Sequence, residues 1–156
     1  MRDVEHQPLH PVGIRDIAED QLYPVFVEPF GQGNAHEHRQ NLLIRFGQFL
    51  NQFRQLELPA ELWIDGSFAT HAPDPADVDV VFYMDAAQID RLPDDRRALF
   101  ERLSSGNRKF MKAQYGVEVF YVASNGPPDY RQWTNDFCTC YDNVTPKRLF
   151  RLYVNL

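Results

Sequence analysis

Residues 61–84 read ELWIDGSFATHAPDPADVDVVFYM and carry two closely spaced strand patterns. An apolar run, Leu62 to Ile64, leads into Asp65-Gly66-Ser67, and ten residues after the serine a second run opens with Asp77-Val78-Asp79 and continues through Val80, Val81 and Phe82. The pattern predicts strands over 61–65 and 77–84, joined by a turn of helix after Gly66 that Pro73 and Pro75 must stop. Side chains alternate faces along a strand, so Asp77 and Asp79 point the same way, roughly 6–7 Å apart along the backbone. Two carboxylates side by side on an otherwise apolar strand are tolerated when a cation sits between them. A divalent ion such as magnesium fits that need.

Working outward, apolar positions Leu42, Leu43, Phe46, Phe49, Leu50, Phe53 and Leu56 recur at helical spacing opposite Asn41, Arg45, Gln48, Gln52 and Gln55. They predict a long amphipathic helix over about 35–56. Ahead of it, Pro11, Pro24 and Pro29 with Gly13, Gly31 and Gly33 punctuate residues 1–34 as an N-terminal arm packing on the core, in which only Ile14 to Leu22 reads as helical. Beyond the second strand, a helix is expected from Pro93 through Ala98, Leu99 and Leu103, with a break at Ser104-Ser105-Gly106 before Phe110 and Met111. Gly116 then ends it, and Val117 to Val122 makes a third strand. Asp129 to Phe137 reads as a short helix and Arg148 to Val154 as a final strand. The whole is expected to be an α/β (α+β) fold, a small mixed sheet packed against helices, with residues 35–156 forming one globular domain around one core.

Several classes of protein are disfavoured. No apolar run approaches 18 residues and no basic start precedes a hydrophobic segment, so a membrane span and a secretory signal are not expected and the cytoplasm is the default compartment. Cys138 and Cys140 stand one residue apart, too close for an unstrained mutual disulfide. A net charge of -6 argues against a broad basic surface for nucleic acid. The average hides an asymmetry: residues 1–106 hold 9 Lys and Arg against 18 Asp and Glu, and residues 107–156 hold 7 against 4. A phosphate-bearing ligand between an acidic, metal-binding half and a basic half suits that distribution.

Gly-Ser, a spacer, then Asp-apolar-Asp at the head of a strand resembles the polymerase-beta-type nucleotidyltransferase superfamily, in its small bacterial branch. Here the pattern reads Ile64-Asp65-Gly66-Ser67 followed by Asp77-Val78-Asp79-Val80, and the resemblance extends to the third strand, where these folds place another acid: Glu118, in Gly116-Val117-Glu118-Val119-Phe120. The resemblance implies a minimal nucleotidyltransferase-like fold and transfer of a nucleoside monophosphate from a nucleoside triphosphate to a hydroxyl acceptor on RNA, protein or another nucleotide. It implies Asp77, Asp79 and Glu118 as catalytic residues and ligands of Mg2+ or Mn2+. Gly66 and Ser67 would hold the triphosphate through close backbone approach, free N–H groups and a hydroxyl. Lys112 and Lys147, with Lys109 and Arg148, are the candidate phosphate partners.

Alternatives stand beside each reading. Asp77 can serve as a helix cap or an Asx turn after Pro75-Ala76, and Glu118 can form an ion pair with Lys112 or occupy an exposed strand position. Pairing His36-Glu37-His38 with Cys138 and Cys140 as a zinc site conflicts with i and i+2 side chains diverging on a helix. His71 reads as a surface histidine before a phosphate contact, and Trp63, Phe82, Tyr121 and Trp133 as core before base-stacking residues. Only 34 residues follow Val122, where larger members of the superfamily use a helical domain to hold base and sugar, so three alternatives stand: a small set of contacts, a partner protein completing the nucleoside pocket, or a chain that no longer catalyses. Small stand-alone members of the superfamily often belong to toxin–antitoxin or phage-defence (antiviral) modules, and the resemblance implies that setting at the level of the family alone. The rival reading is a catalytically silent binding module or antitoxin-like partner that kept the fold.

Overall fold

The computed structural model describes Leu9 and residues 14–103, 108–124 and 149–155. Five strands form one mixed sheet: β1 (Ile14–Asp16), β2 (Ala60–Asp65), β3 (Val78–Asp85), β4 (Val117–Ser124) and β5 (Leu149–Val154), in the order β1-β5-β2-β3-β4. The central pairs β5–β2 and β2–β3 are antiparallel, and the outer pairs β1–β5 and β3–β4 are parallel. A parallel pair needs a crossover, and three helices supply it between β3 and β4: α3 (Ala86–Asp90), α4 (Asp94–Leu103) and α5 (Arg108–Tyr115). Before β2 come α1 (Leu22–Phe26) and the long α2 (Asn34–Arg54). The fold is therefore a mixed α/β sheet packed against helices.

Strand alternation divides the sheet into two faces. Ala60, Leu62 and Ile64 of β2, Val78, Val80, Phe82 and Met84 of β3, and Phe150, Leu152 and Val154 of β5 enter one core with Leu42, Phe46, Phe49, Leu50 and Phe53 of α2. Phe82 stacks on Phe53 with ring centroids 4.1 Å apart and meets Phe49 at 5.7 Å. Burying rings of this size supplies much of the fold's driving force. The other face carries Trp63, Asp65, Asp79, Val81 and Glu118. Acids therefore project away from the α2 core.

Differences from the sequence reading have local causes. Ile14 to Leu22 is not a helix: Ile14–Asp16 is an edge strand parallel to β5, a 3-10 turn covers Glu19–Gln21, and α1 begins only at Leu22. The ion pair between Arg151 and Asp16, 2.5 Å from Nε to Oδ1, fastens that edge. Ile17, Leu22, Phe26 and Val27 are buried in the common core. The helix expected from Pro93 is two, α4 and α5, and an unexpected short α3 precedes them, capped by the Asp85 side chain, which accepts from Ala87 N at 2.8 Å. Helix α5 ends at Gly116, whose φ of +64° favours glycine and whose carbonyl accepts from Val78 N at 2.8 Å. The helix expected over 129–137, the break at 104–106, the cysteines, Trp133, Lys147 and Arg148 lie outside the described residues. Among the described residues no helix is long and apolar enough to cross a membrane.

Candidate active site

Asp79 lies on β3, and the register places it between two other acids, Asp65 on β2 and Glu118 on β4. Asp77 immediately precedes the first residue of β3, not inside the strand as the sequence suggested. One carboxylate oxygen from each of Asp77, Asp79 and Glu118 lies within 4.8 Å of the others. Asp79 bears the cost of this crowding. Burial, then the charge of Asp77 and a hydrogen bond with it, then the charges of Glu118 and Asp65, push its pKa up to about 8. Its Oδ1 is buried and accepts no hydrogen bond among the described residues.

The turn between β2 and β3 is built around that carboxylate. Gly66 has φ +73°, and a Cβ there would fall 2.7 Å from Asp79 Cγ and closer still to its Oδ2. Only glycine lets the chain pass so near an acid. Ser67–Ala69 then forms a single 3-10 turn, closed by Ala69 N to Gly66 O at 3.1 Å and Thr70 N to Ser67 O at 3.1 Å. The glycine thus accommodates Asp79 first, a reason for its presence that spacing alone did not reveal.

Cations approach the acids from α5. Lys112 Nζ stands 3.3 Å from Asp77 Oδ2, and Arg108 pairs with Glu118. The pairing of Glu118 with Lys112 weighed from sequence is replaced by these two contacts: one turn of helix separates Arg108 from Lys112, so each reaches a different acid. Arg108, Lys109, Lys112, Val117 and Glu118 line a cleft of about 360 Å³. Lys109 and Lys112 share its wall. Ser67 sits half-buried at the start of the 3-10 turn.

Three contributors escaped the sequence reading. Asp65, within Ile64-Asp65-Gly66-Ser67, is buried and directly opposite Asp79. Arg108 falls at the N-terminal end of α5, where it meets Glu118. Arg39 is wholly buried on α2 and donates to the carbonyls of Phe26, Ser67, Phe68, Thr70 and Ala72. A signal for it existed: 39, 42, 46, 49 and 53 form one stripe of α2, so Arg39 extends the apolar face by one turn. The histidines once considered for zinc have other partners, His36 with the Tyr23 hydroxyl at 2.9 Å and His38 with Pro75 O at 2.6 Å. His71 is exposed, its ring 6.2 Å from that of Phe30. Phe82 belongs to the core, and Tyr121 stacks on it at 5.5 Å, whereas Trp63 is buried on the acidic face with its indole N–H on Glu61 at 2.9 Å.

Three convergent carboxylates with an unfilled buried acceptor fit a hard divalent cation, because such ions take oxygen ligands and offset mutual repulsion. The donor set suits magnesium or manganese better than zinc. A family of unknown function, DUF6932, matches residues 3–151, and the chain belongs to that family. No curated protein and no solved structure matches it.

Proposed function

We propose that this protein is a metal-dependent nucleotidyltransferase that moves a nucleoside monophosphate from a nucleoside triphosphate to a hydroxyl acceptor: the acceptor oxygen bonds to the alpha phosphorus, the bond to the beta phosphate breaks, and pyrophosphate leaves. The observation that carries the reading is the convergence of Asp77, Asp79 and Glu118 within 4.8 Å beside a cleft lined by Arg108, Lys109 and Lys112. Asp77, Asp79 and Glu118 would hold Mg2+ or Mn2+, which supplies Lewis-acid charge stabilisation for the attacking and leaving oxygens when bound. Glu118, the most accessible of the acids by its place on β4, is suited to receive the acceptor hydroxyl's proton. Lys112 and Lys109 offer the triphosphate positive charge from the cleft wall, and Ser67 a hydroxyl from the turn. Lys147 joins them in this reading on sequence grounds alone. Acceptors in view are an RNA end, a protein side chain or a nucleotide, with a partner protein completing the nucleoside pocket. The cytoplasm, and a toxin–antitoxin or antiviral module, is the setting that goes with this chemistry.

One observation favours a second reading, the silent binding module. Arg108 and Lys112 already balance Glu118 and Asp77, so part of the charge that a metal would neutralise is met by the protein itself. The two readings separate in one experiment. Protein is incubated with Mg2+ or Mn2+ and each of four triphosphates labelled at either the alpha or the gamma phosphate, with cellular RNA or protein as acceptor. The enzyme reading expects acid-stable product from the alpha label alone and its loss on Asp77→Asn. Transfer of the gamma label indicates a kinase instead, and binding without transfer of either label leaves the silent module.

A further inference from the structure

The one fully buried cationic side chain among the described residues lies beside the site and not in it. Arg39, in the second turn of α2, has no exposed surface. Its Nε donates to Ala72 O at 3.0 Å, one terminal nitrogen to Phe26 O at 3.0 Å and Phe68 O at 2.9 Å, and the other to Ser67 O at 3.3 Å, Thr70 O at 2.6 Å and Ala72 O at 2.8 Å. All of these acceptors are backbone carbonyls. The guanidinium carbon also lies 3.8 Å from the ring centre of Phe30 and 5.0 Å from that of Phe68. Four of the five acceptor residues belong to 67–72, the connection that leaves Gly66.

Burying a guanidinium on neutral partners is expensive, and burial lowers the Arg39 pKa to about 10. A loop that needed only its carbonyls satisfied could use water or its own amides. What a rigid fork of five N–H donors adds is geometry, since it fixes several carbonyls relative to one plane. His38, on the preceding residue, holds Pro75 O in the same way, and Thr70 Oγ1 ties Ser67 O at 2.7 Å. The connection between β2 and β3 therefore hangs from one end of α2. Its first residue, Gly66, is the backbone that lies against the Asp79 carboxylate.

We infer that Arg39 is a positioning residue for the acidic site: by gripping the carbonyls of Ser67, Phe68, Thr70 and Ala72 it sets where Gly66 and Ser67 stand relative to Asp79, and so sets metal and polyphosphate affinity. The inference rests on the proposed function, because it assigns Arg39 a part in that same site.

The test compares wild type, Arg39→Met and Arg39→Lys in the full chain. All are measured well below their melting temperatures, with folding verified by circular dichroism. Hydrogen exchange of the 67–72 amides reports the loop without any ligand, and titration with Mn2+ alone and with Mn2+ plus inorganic tripolyphosphate reports the site. Faster exchange at 67–72 together with at least tenfold weaker Mn2+ binding in folded Arg39→Met, and an intermediate value in Arg39→Lys, is the expected result. Lysine keeps the charge but presents three donors from one point, so it recovers only part of the grip. Should Arg39→Met fail to fold, Arg39→Lys carries the comparison, and if neither folds Arg39 is a folding residue and the inference is overturned. Faster exchange with unchanged Mn2+ affinity also overturns it, leaving a structural role alone. If wild type itself binds no Mn2+, the proposed function fails first and the inference falls with it.

Discussion

Asp79→Asn in metal-free protein should stabilise the fold at neutral and alkaline pH and leave it nearly unchanged in acid. The substitution keeps the shape of the side chain and removes the charge that burial, Asp77, Glu118 and Asp65 all disfavour. The sign follows from proton linkage. A carboxyl whose pKa rises from 3.8 to about 8 on folding binds more protons in the native state between those values. Its contribution to stability is full below pH 3.8 and is lost as pH climbs through 8. Across the interval from 3.8 to neutrality, at about 1.4 kcal/mol per pH unit, the loss reaches at most about 4 kcal/mol. Protons are shared among neighbouring acids, and the cations on Asp77 and Glu118 offset part of the repulsion, so the expected gain for Asp79→Asn is about 2–3 kcal/mol at pH 8. Urea unfolding in EDTA at pH 4, 6 and 8 measures it, with midpoints diverging as pH rises. Parallel stability curves for the two proteins across this range would refute the electrostatic account of the cluster.

Two further outcomes follow from the same geometry. Gly66→Ala places a methyl group in the space of the Asp79 carboxylate at a backbone angle that alanine rarely adopts, and should cost at least about 1–3 kcal/mol in thermal or urea unfolding and abolish Mn2+ binding. Arg108→Gln frees Glu118 while removing a cation from the cleft, so calorimetry should find Mn2+ alone bound a fewfold more tightly and Mn2+-triphosphate bound more weakly. Equal shifts of the same sign would show that Arg108 does not exchange between carboxylate and phosphate.

Much of the sheet was legible because its evidence is local. Val78, Val80 and Phe82 alternate with Asp79 and Val81, and the alternation survives intact in β3. Glycine at 66 and the acids at 77, 79 and 118 were visible as residue types at telling positions. What sequence could not carry was partnership. Three residues, Ile14–Asp16, are too few to display a period, and they form a strand only because β5, more than a hundred residues later, offers its edge. Asp65 joins the acids through its register with Asp79, a relation between strands that no single segment encodes. Arg39 carries no motif of its own, and only its place on the 42–46–49–53 stripe marks it as inward-facing. Helix α3 was missed despite Asp85 followed by Ala86-Ala87, a capping signal hidden behind a strand that runs directly into it.

Asp77, Asp79 and Glu118 together are expected to hold one divalent cation. The decisive measurement titrates Mn2+ into wild type and into the Asp77→Asn, Asp79→Asn double variant, following free Mn2+ by electron paramagnetic resonance. One saturable site is expected in wild type and none in the variant, with Mn2+ raising the melting temperature of wild type only, equivalent to about 2.7 kcal/mol of added stability at a hundredfold excess over Kd. Equal Mn2+ binding by both proteins, or none by either, would contradict it.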